Sequence, residues 1–344
     1  MNNLLRYSLI IAIVQMGVGV PAAVAANKDR EVTVYSARKE QLIKPVFADF
    51  EKQTGIRVRY MTDKAPALLA KLKMEGERTP ADMLLTVDAG NLWHAADSGL
   101  LEPLDDAGLN KNVPAHLRDP KGRWVGLSLR ARTIVHTTDP KRLDPKQLST
   151  YEDLADPRWK GRLCLRTSKK VYNQSLVAML IAAHGEKKVD QIVRGWVGNL
   201  ATKVFANDTA VLKAIAAGQC DVGIVNTYYF GRLKRKDPGL KLALFWPDQN
   251  KEGAGGVHVN VSGAGILRHA KHKQEARELL LWLSSPAAQK SFAAINLEYP
   301  VHSGVSADPA VAAWGDYQPS RMNLSRAGEL QADAIRLMDR AGYK

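Results

Sequence analysis

The sequence predicts an α/β fold in two lobes, each a mixed, mainly parallel sheet flanked by helices, joined by two hinge strands. Short apolar strands alternate with helical patterns along most of the chain, which is typical of sheets covered by helices. The chain has 344 residues, more than one hydrophobic core usually organises. Apolar and polar residues alternate along two runs, 125–137 and 257–266. These runs are too long for strands of one small sheet, so we interpret them as crossings between the lobes.

The N-terminal segment 1–26 is predicted to be a signal peptide. Arg6 provides a positive charge, Leu9–Val20 is largely apolar, and Ala23-Val24-Ala25 forms an A-x-A cleavage motif. No other run is long and apolar enough to span a bilayer. We therefore expect an exported protein, cleaved near Ala25 or Ala26, whose mature chain does not insert into a membrane.

The first α/β unit lies between residues 31 and 99. The predicted strands are Glu31–Tyr35, Ile56–Tyr60 and Met83–Val87, and the predicted helices are Lys39–Thr54, Ala65–Glu75 and Ala89–Asp97. Gly55 and Gly99 follow two of these helices, where glycine commonly ends a helix. The unit ends before the first crossing.

A second α/β unit follows that crossing. Its predicted strands are Leu163–Arg166, Lys203–Phe205 and Val222–Val225, and its helices are Asn173–His184, Val189–Asn199 and Thr209–Ala217. After the second crossing we predict the helices Lys273–Leu283 and Ala287–Ala294 and a helical tail, Ala307–Lys344. The N-terminal lobe is predicted to contain residues 27–128 and about 258–302, and the C-terminal lobe residues 129–257 and about 303–344.

The charge balance is strongly basic, with a formal net charge of +14. The lysines and arginines are spread along the chain and do not cluster with aromatic residues, which argues against nucleic-acid binding. A diffuse positive field attracts anionic ligands or metal–anion complexes instead.

The two cysteines, Cys164 and Cys220, predict one disulfide, because an even count in an exported protein favours pairing. The alternative is two free buried thiols. Neither cysteine has the neighbours of a zinc site.

Two adjacent tyrosines, Tyr228 and Tyr229, follow the predicted strand Val222–Val225. Ligands usually bind at the carboxyl ends of strands in open α/β sheets. A deprotonated phenol offers a hard, anionic oxygen to a highly charged cation, although such a pair is more often a half-buried packing pair. Both could reach one ion only if the backbone leaves the strand there, because adjacent strand side chains point to opposite faces.

The chain resembles the periplasmic solute-binding proteins of ABC importers, and among them the ferric-ion-binding family. The segments that carry the resemblance are Val34-Tyr35-Ser36-Ala37-Arg38, Thr79-Pro80-Ala81-Asp82, Thr86-Val87-Asp88-Ala89-Gly90, Gly126-Leu127-Ser128, Arg130-Ala131-Arg132, Val171-Tyr172-Asn173-Gln174-Ser175-Leu176, Asn207-Asp208, Ala216-Ala217-Gly218, Asn226, Tyr228-Tyr229 and Asn296-Leu297-Glu298-Tyr299-Pro300-Val301. The resemblance implies a periplasmic protein whose two lobes close on a ligand in the cleft between them.

The resemblance implies that Tyr172, Tyr228 and Tyr229 are the metal ligands. Three phenolates offset the three positive charges of a ferric ion, so the centre can be buried without the cost of an isolated charge.

It also implies that Arg38 and Arg130 hold carbonate or bicarbonate, because guanidinium binds planar oxyanions through two parallel hydrogen bonds. Arg232 and Asn226 would support the site from behind the ligands. For each arginine the alternative is a solvated surface charge.

One departure from the family pattern concerns the segment after the first strand. Some family members have a His-Tyr ligand pair there, whereas this chain has Lys39 and Glu40. A protonated lysine cannot bind a metal, and Glu40 is expected to be a solvated carboxylate at a helix start. Tyr35 is expected to pack in the core. A metal ligand from the N-terminal lobe is therefore doubtful.

The functional prediction is a monomeric binding protein that delivers ferric iron, or a ferric chelate, to an inner-membrane ABC permease. The alternative is a binding protein for an organic or phosphorylated solute, such as a polyamine or thiamine. Three converging phenols would favour ferric iron, because an organic ligand would not need them. An enzyme is not expected, because the sequence has no G-x-S-x-G elbow, no P-loop and no clear nucleophile–base set.

Overall fold

The computed structural model describes residues 30–249 and 255–344. The predicted signal peptide, 1–26, lies outside the described residues. Within the described part of the chain, no helix is long and apolar enough to cross a membrane.

The helices and strands follow one another in three sections of the chain. The first contains β1 Glu31–Ser36, α1 Glu40–Thr54, β2 Arg57–Thr62, α2 Ala65–Glu75, β3 Met83–Val87, α3 Ala89–Asp97, α4 Ala107–Asn112 and β4 Val125–Thr137. The second contains β5 Leu163–Cys164, α5 Val171–His184, α6 Glu186–Gly198, α7 Asp208–Ala216, β6 Val222–Asn226, α8 Thr227–Lys236 and β7 Leu242–Phe245. The third contains β8 Val259–Ile266, α9 Lys273–Ser284, α10 Pro286–Ala294, α11 Pro309–Ala312, α12 Ser325–Glu329 and α13 Gln331–Arg340.

The strands lie in the order β2-β1-β3-β8-β4-β6-β5, with β7 paired to β4 beside this path. The pairs β1–β2, β1–β3 and β5–β6 are parallel, while every pair that includes β4 or β8 is antiparallel. The two-lobed α/β fold is thus built from two parallel parts joined by antiparallel strands.

Strand β4 connects the two halves of the molecule. Its first part, Val125–Ala131, pairs with β8, and its second part, from Arg132 to Thr137, pairs with β6 and β7. The prediction that residues 125–137 form a crossing strand is confirmed. The second predicted crossing, 257–266, contains β8.

Two main hydrophobic cores lie on the two sides of the crossing. The first packs around β1, β3 and β8 and includes the buried side chains of Phe50 and Trp124. The second packs around β6 and α5 and includes Trp159 and Trp196. The tail serves both cores, because Leu324 and Ala327 join the first and Leu337 of α13 joins the second. The lobe boundaries given above remain a prediction.

The predicted disulfide between Cys164 and Cys220 is present. Cys164 is the last residue of β5 and Cys220 lies just before β6, with their Cα atoms 5.9 Å apart. Both residues are buried. The bridge therefore fixes the entry to β6, the strand that leads to the tyrosine pair.

Several predicted elements differ from the structure. The predicted strand Lys203–Phe205 is wrong, because only Phe205 pairs, through one isolated bridge to Arg166. Leu163–Arg166 shortens to the two residues of β5, since the chain then turns toward α5. The tail forms three short helices, and α8 and β7 were not predicted.

Candidate metal-binding cleft

A cleft of about 700 Å³ is lined by both parts of the fold. The loops after β1 and β2 form one wall, and the residues around the starts of α5 and α8 form the other. Its lining includes Arg38, Lys39, Lys64, Val87, Asn91, Arg130, Lys169, Lys170, Tyr172, Gln174, Tyr228, Tyr229, Arg232, Asn296, Glu298 and Gln331. The three tyrosines and the three arginines predicted for the site therefore share this cleft.

The tyrosines are brought together by the starts of two helices. Tyr172 lies in the first turn of α5, and Tyr228 and Tyr229 lie in the first turn of α8. The chain leaves β6 at Asn226, so the neighbouring tyrosines turn by a helical step rather than to opposite faces. Their ring centres are 4.4 Å apart. The positive ends of two helix dipoles thus favour negative charge where the phenols meet.

Burial favours the protonated form of Tyr172 and Tyr228. Burial raises the pKa of Tyr172, and nearby Arg130 lowers it only in part. Burial, together with Tyr172 and Tyr229, raises the pKa of Tyr228 well above its ordinary value. Only a strong positive field, such as that of a bound metal ion, would convert these phenols to phenolates.

Arg130 lies beside the phenols and is fully charged. Its guanidinium is 5.5 Å from the centre of the Tyr172 ring and donates a 2.5 Å hydrogen bond to the carbonyl oxygen of Val261. Burial opposes its charge, but Glu298, Tyr172 and other acidic neighbours raise the pKa of Arg130 overall. Its Nε atom is buried and has no hydrogen-bond partner among the described residues.

The guanidinium of Arg38 has hydrogen-bond partners at one nitrogen, Nη1, but none along its Nε–Nη2 edge among the described residues. Its Nη1 donates to Glu298 at 3.0 Å and to Ser262 at 2.7 Å. Its Nε and Nη2 are buried without a hydrogen-bond partner in the described part of the chain. These two nitrogens form the edge of a guanidinium that binds a carboxylate or carbonate through two parallel hydrogen bonds. Arg38 is therefore a buried cation and not a solvated surface charge.

Glu298 links the arginines on the cleft floor. It accepts hydrogen bonds from Arg38, Ser128 and Asn296. Arg232 donates to Asn296, and its guanidinium lies 5.1 Å from the Tyr228 ring centre. Burial opposes the charge of Glu298, but Arg38 and Arg130 keep its pKa below the ordinary value, so it stays anionic.

Asn226 lies behind the tyrosines and does not line the cleft. Its side-chain amide donates to the Tyr228 hydroxyl at 3.2 Å and its carbonyl oxygen accepts from Arg132 at 3.0 Å. Arg132 is itself buried against Asp208, at 3.3 Å. The orientation of Tyr228 thus depends on a buried chain of polar contacts.

The N-terminal wall of the cleft carries the cations Lys39 and Lys64 and one carboxylate, Asp63. Lys39 lines the cleft, whereas Glu40 is exposed and accepts a hydrogen bond from Tyr60. Tyr35 is buried away from the cleft and donates to Glu75, and burial raises its pKa to about 12. Among residues 30–249 and 255–344, no three His, Cys, Asp or Glu side chains are grouped so as to hold a metal.

Arg166 and Lys170 belong to the site but were not singled out from the sequence. The guanidinium of Arg166 is 5.4 Å from the Tyr172 ring centre, and the Lys170 ammonium is 5.3 Å from it. Burial and the charge of Arg166 lower the pKa of Lys170. Their position in the sequence could have indicated a role in the site. Both residues follow a strand, at the carboxyl end of a parallel strand pair, where ligands usually bind. Glu298 and Asn296 lay within a segment that carried the family resemblance.

The fold and this cleft are those of a solute-binding protein, and comparison with known proteins agrees. The profile of the bacterial extracellular solute-binding proteins matches residues 46–319, and the chain belongs to that family. Iron uptake protein A1 of Synechocystis is 40% identical over 330 residues, covering 94% of this chain and 90% of that protein.

Two solved structures show the same architecture. Trichodesmium IdiA (FutA), in complex with iron and citrate ligands, has a TM-score of 0.87 and 42% identity, covering 91% of this chain and 100% of that one. The ferric iron-binding protein A of Mannheimia haemolytica, in an open conformation, has a TM-score of 0.84 and 35% identity, covering 91% of this chain and 99% of that one.

Proposed function

We propose that this chain is a periplasmic binding protein that carries ferric iron, held by the phenolate oxygens of Tyr172, Tyr228 and Tyr229. The observation that carries the proposal is the convergence of these three phenols in one cleft. Phenolates are hard, anionic donors, and three of them balance the charge of one ferric ion. The choice of metal is supported by the relatives, which include an iron uptake protein and a protein in complex with iron and citrate ligands.

The remaining coordination positions would be filled by an anion, such as carbonate or bicarbonate, held by Arg38 and Arg130. Their unpartnered nitrogens support this assignment, because a buried donor without a partner is costly unless a ligand satisfies it. A carboxylate of a ferric chelate presents the same pair of oxygens. Arg232 and Asn226 would hold the two adjacent tyrosines in place.

The cleft charge supports an anionic partner for the metal. Seven of the lining side chains are cationic, namely Arg38, Lys39, Lys64, Arg130, Lys169, Lys170 and Arg232, whereas two are acidic, Asp63 and Glu298. Since three phenolates and one ferric ion sum to zero charge, the excess of cations remains after loading. A small anion or the carboxylates of a chelate would reduce it.

Delivery would follow the scheme of the family. The signal peptide would direct the chain to the periplasm, the lobes would close on the loaded cleft about β4 and the segment before β8, and the monomer would pass iron to an inner-membrane ABC permease. The lobes would comprise residues 27–128 with about 258–302, and 129–257 with about 303–344.

A titration tests the proposed function. Iron-free protein is titrated with ferric nitrilotriacetate in bicarbonate buffer while the visible spectrum is recorded. Phenolates bound to ferric iron give a charge-transfer band that the iron-free protein lacks, so a band that saturates at one iron per chain is expected. Thermal stabilisation by thiamine or a polyamine, with no band from ferric iron, would instead support an organic solute.

A further inference from the structure

The segment after α13 reaches the loop that precedes Tyr172. Tyr343 is 2% exposed, and its hydroxyl donates a 2.7 Å hydrogen bond to the carbonyl oxygen of Arg166. The same hydroxyl accepts a 2.8 Å hydrogen bond from the side-chain amide of Asn173. One residue further, the Lys344 carbonyl oxygen accepts from the backbone N–H of Ser168 at 2.9 Å. The tail is thus attached to this loop at Arg166 and Ser168, and to the first turn of α5 at Asn173.

The loop positions much of the C-terminal wall of the cleft. It carries Arg166 and Lys170, and α5 then begins with Tyr172 in its first turn. No side-chain hydrogen bond caps the start of α5 at Lys170. A side-chain cap satisfies backbone N–H groups at a helix start, so here other contacts contribute to holding the first turn.

Asn173 provides those contacts. Its carbonyl oxygen accepts a 2.5 Å hydrogen bond from Arg132, and its amide donates to the carbonyl oxygens of Arg166 and Thr167 at 2.8 and 3.0 Å. Tyr343 adds a further partner to the same amide group, at 2.8 Å. The residue next to Tyr172 is therefore held between the crossing strand, through Arg132, and the tail, through Tyr343.

Resting on the proposed function, we propose that Tyr343 is a positioning residue of the iron site, acting through Asn173 and Arg166 on Tyr172. The aromatic ring packs in the second core, as do Leu337 and Met338 of α13. The hydroxyl is not needed for that packing. Its partners are Arg166 in the loop and Asn173 in the first turn of α5, so its removal changes the placement of Tyr172 more than the stability of the fold.

The test compares Tyr343→Phe with a matched control, Tyr35→Phe. Tyr35 is also a buried tyrosine with a hydrogen-bonded hydroxyl, but it lies in the N-terminal part, away from the cleft. Ferric affinity is measured by competition with citrate, together with the charge-transfer band and the thermal midpoint of the iron-free protein. In Tyr343→Phe we expect affinity to fall by about three- to tenfold, the usual effect of one hydrogen bond, with a shifted band. Tyr35→Phe should change neither affinity nor band.

A double-mutant cycle with Tyr172→Phe separates positioning from general loosening of the fold. If Tyr343 acts through Tyr172, Tyr343→Phe lowers affinity in the wild type but has no further effect in the Tyr172→Phe background. Equal losses in both backgrounds, or a wild-type-like band and affinity in Tyr343→Phe, would overturn the inference. Absence of the band in the wild-type protein would instead overturn the proposed function, so the two failures are distinguishable.

Discussion

Replacing Cys164 and Cys220 together by alanine should strongly destabilise the protein without removing its fold. The bridge closes a loop of 56 residues. By the chain-entropy relation, closing a loop of this size lowers the entropy of the unfolded chain and raises the free energy of unfolding by about 4 kcal/mol. The variant would lose this stabilisation. Both cysteines are buried, so the small voids left by alanine act in the same direction. That loss is a large fraction of the roughly 5–15 kcal/mol that stabilises a typical domain.

The assay is urea unfolding of the iron-free protein, followed by circular dichroism, for the wild type and the double variant. The urea concentration at the midpoint of unfolding should be clearly lower for the variant. Wild-type protein unfolded in the presence of reductant should behave like the variant. Because the bridge lies at the entry to β6 and not in the cleft, the variant should still give the ferric charge-transfer band when folded. A loss of less than about 1 kcal/mol would refute the reasoning from loop closure.

Three further outcomes are expected. Arg38→Gln should lower ferric affinity by tenfold or more in bicarbonate, roughly the value of a hydrogen bond to a charged group, and an unchanged affinity would exclude the anion role. Ferric affinity should fall as the pH falls from 8 to 6, because the raised pKa values of Tyr172 and Tyr228 keep protons on phenols that the metal must displace. A flat pH profile in citrate competition would contradict phenolate ligation. Small-angle scattering should show a smaller radius of gyration for loaded than for iron-free protein, whereas equal values would indicate a cleft that does not close.

The sequence was sufficient for the elements with clear periodicity. Met83–Val87 and Val125–Thr137 were predicted with their observed bounds, because an apolar run and a long alternating run are local signals. Helix α8 was not predicted, since Thr227 to Gly231 contains β-branched, aromatic and glycine residues with weak helix propensity. Tertiary packing supports this helix instead, since Gly231 lies so close to the Trp314 ring that a larger side chain would clash there.

For the candidate site, the tyrosines could be identified by their position after strands and by resemblance. The buried polar partners could not be found in this way. Arg132 and Asp208 are 76 residues apart in the chain and meet only in the folded protein. Tyr343 contacts a loop more than 170 residues earlier, and no local pattern marks it. Long-range polar contacts of this kind depend on tertiary structure, which periodicity does not encode.

The visible spectrum of a Tyr228→Phe, Tyr229→Phe double variant tests the central claim most directly. Phenylalanine keeps both rings of the pair, whose centres are 4.4 Å apart, so packing at the start of α8 should be preserved while two donor oxygens are lost. With Tyr35→Phe as the control, the double variant should fold, lose most of the charge-transfer band and no longer compete with citrate for ferric iron. A folded double variant that binds ferric iron with the wild-type spectrum and affinity would contradict phenolate ligation.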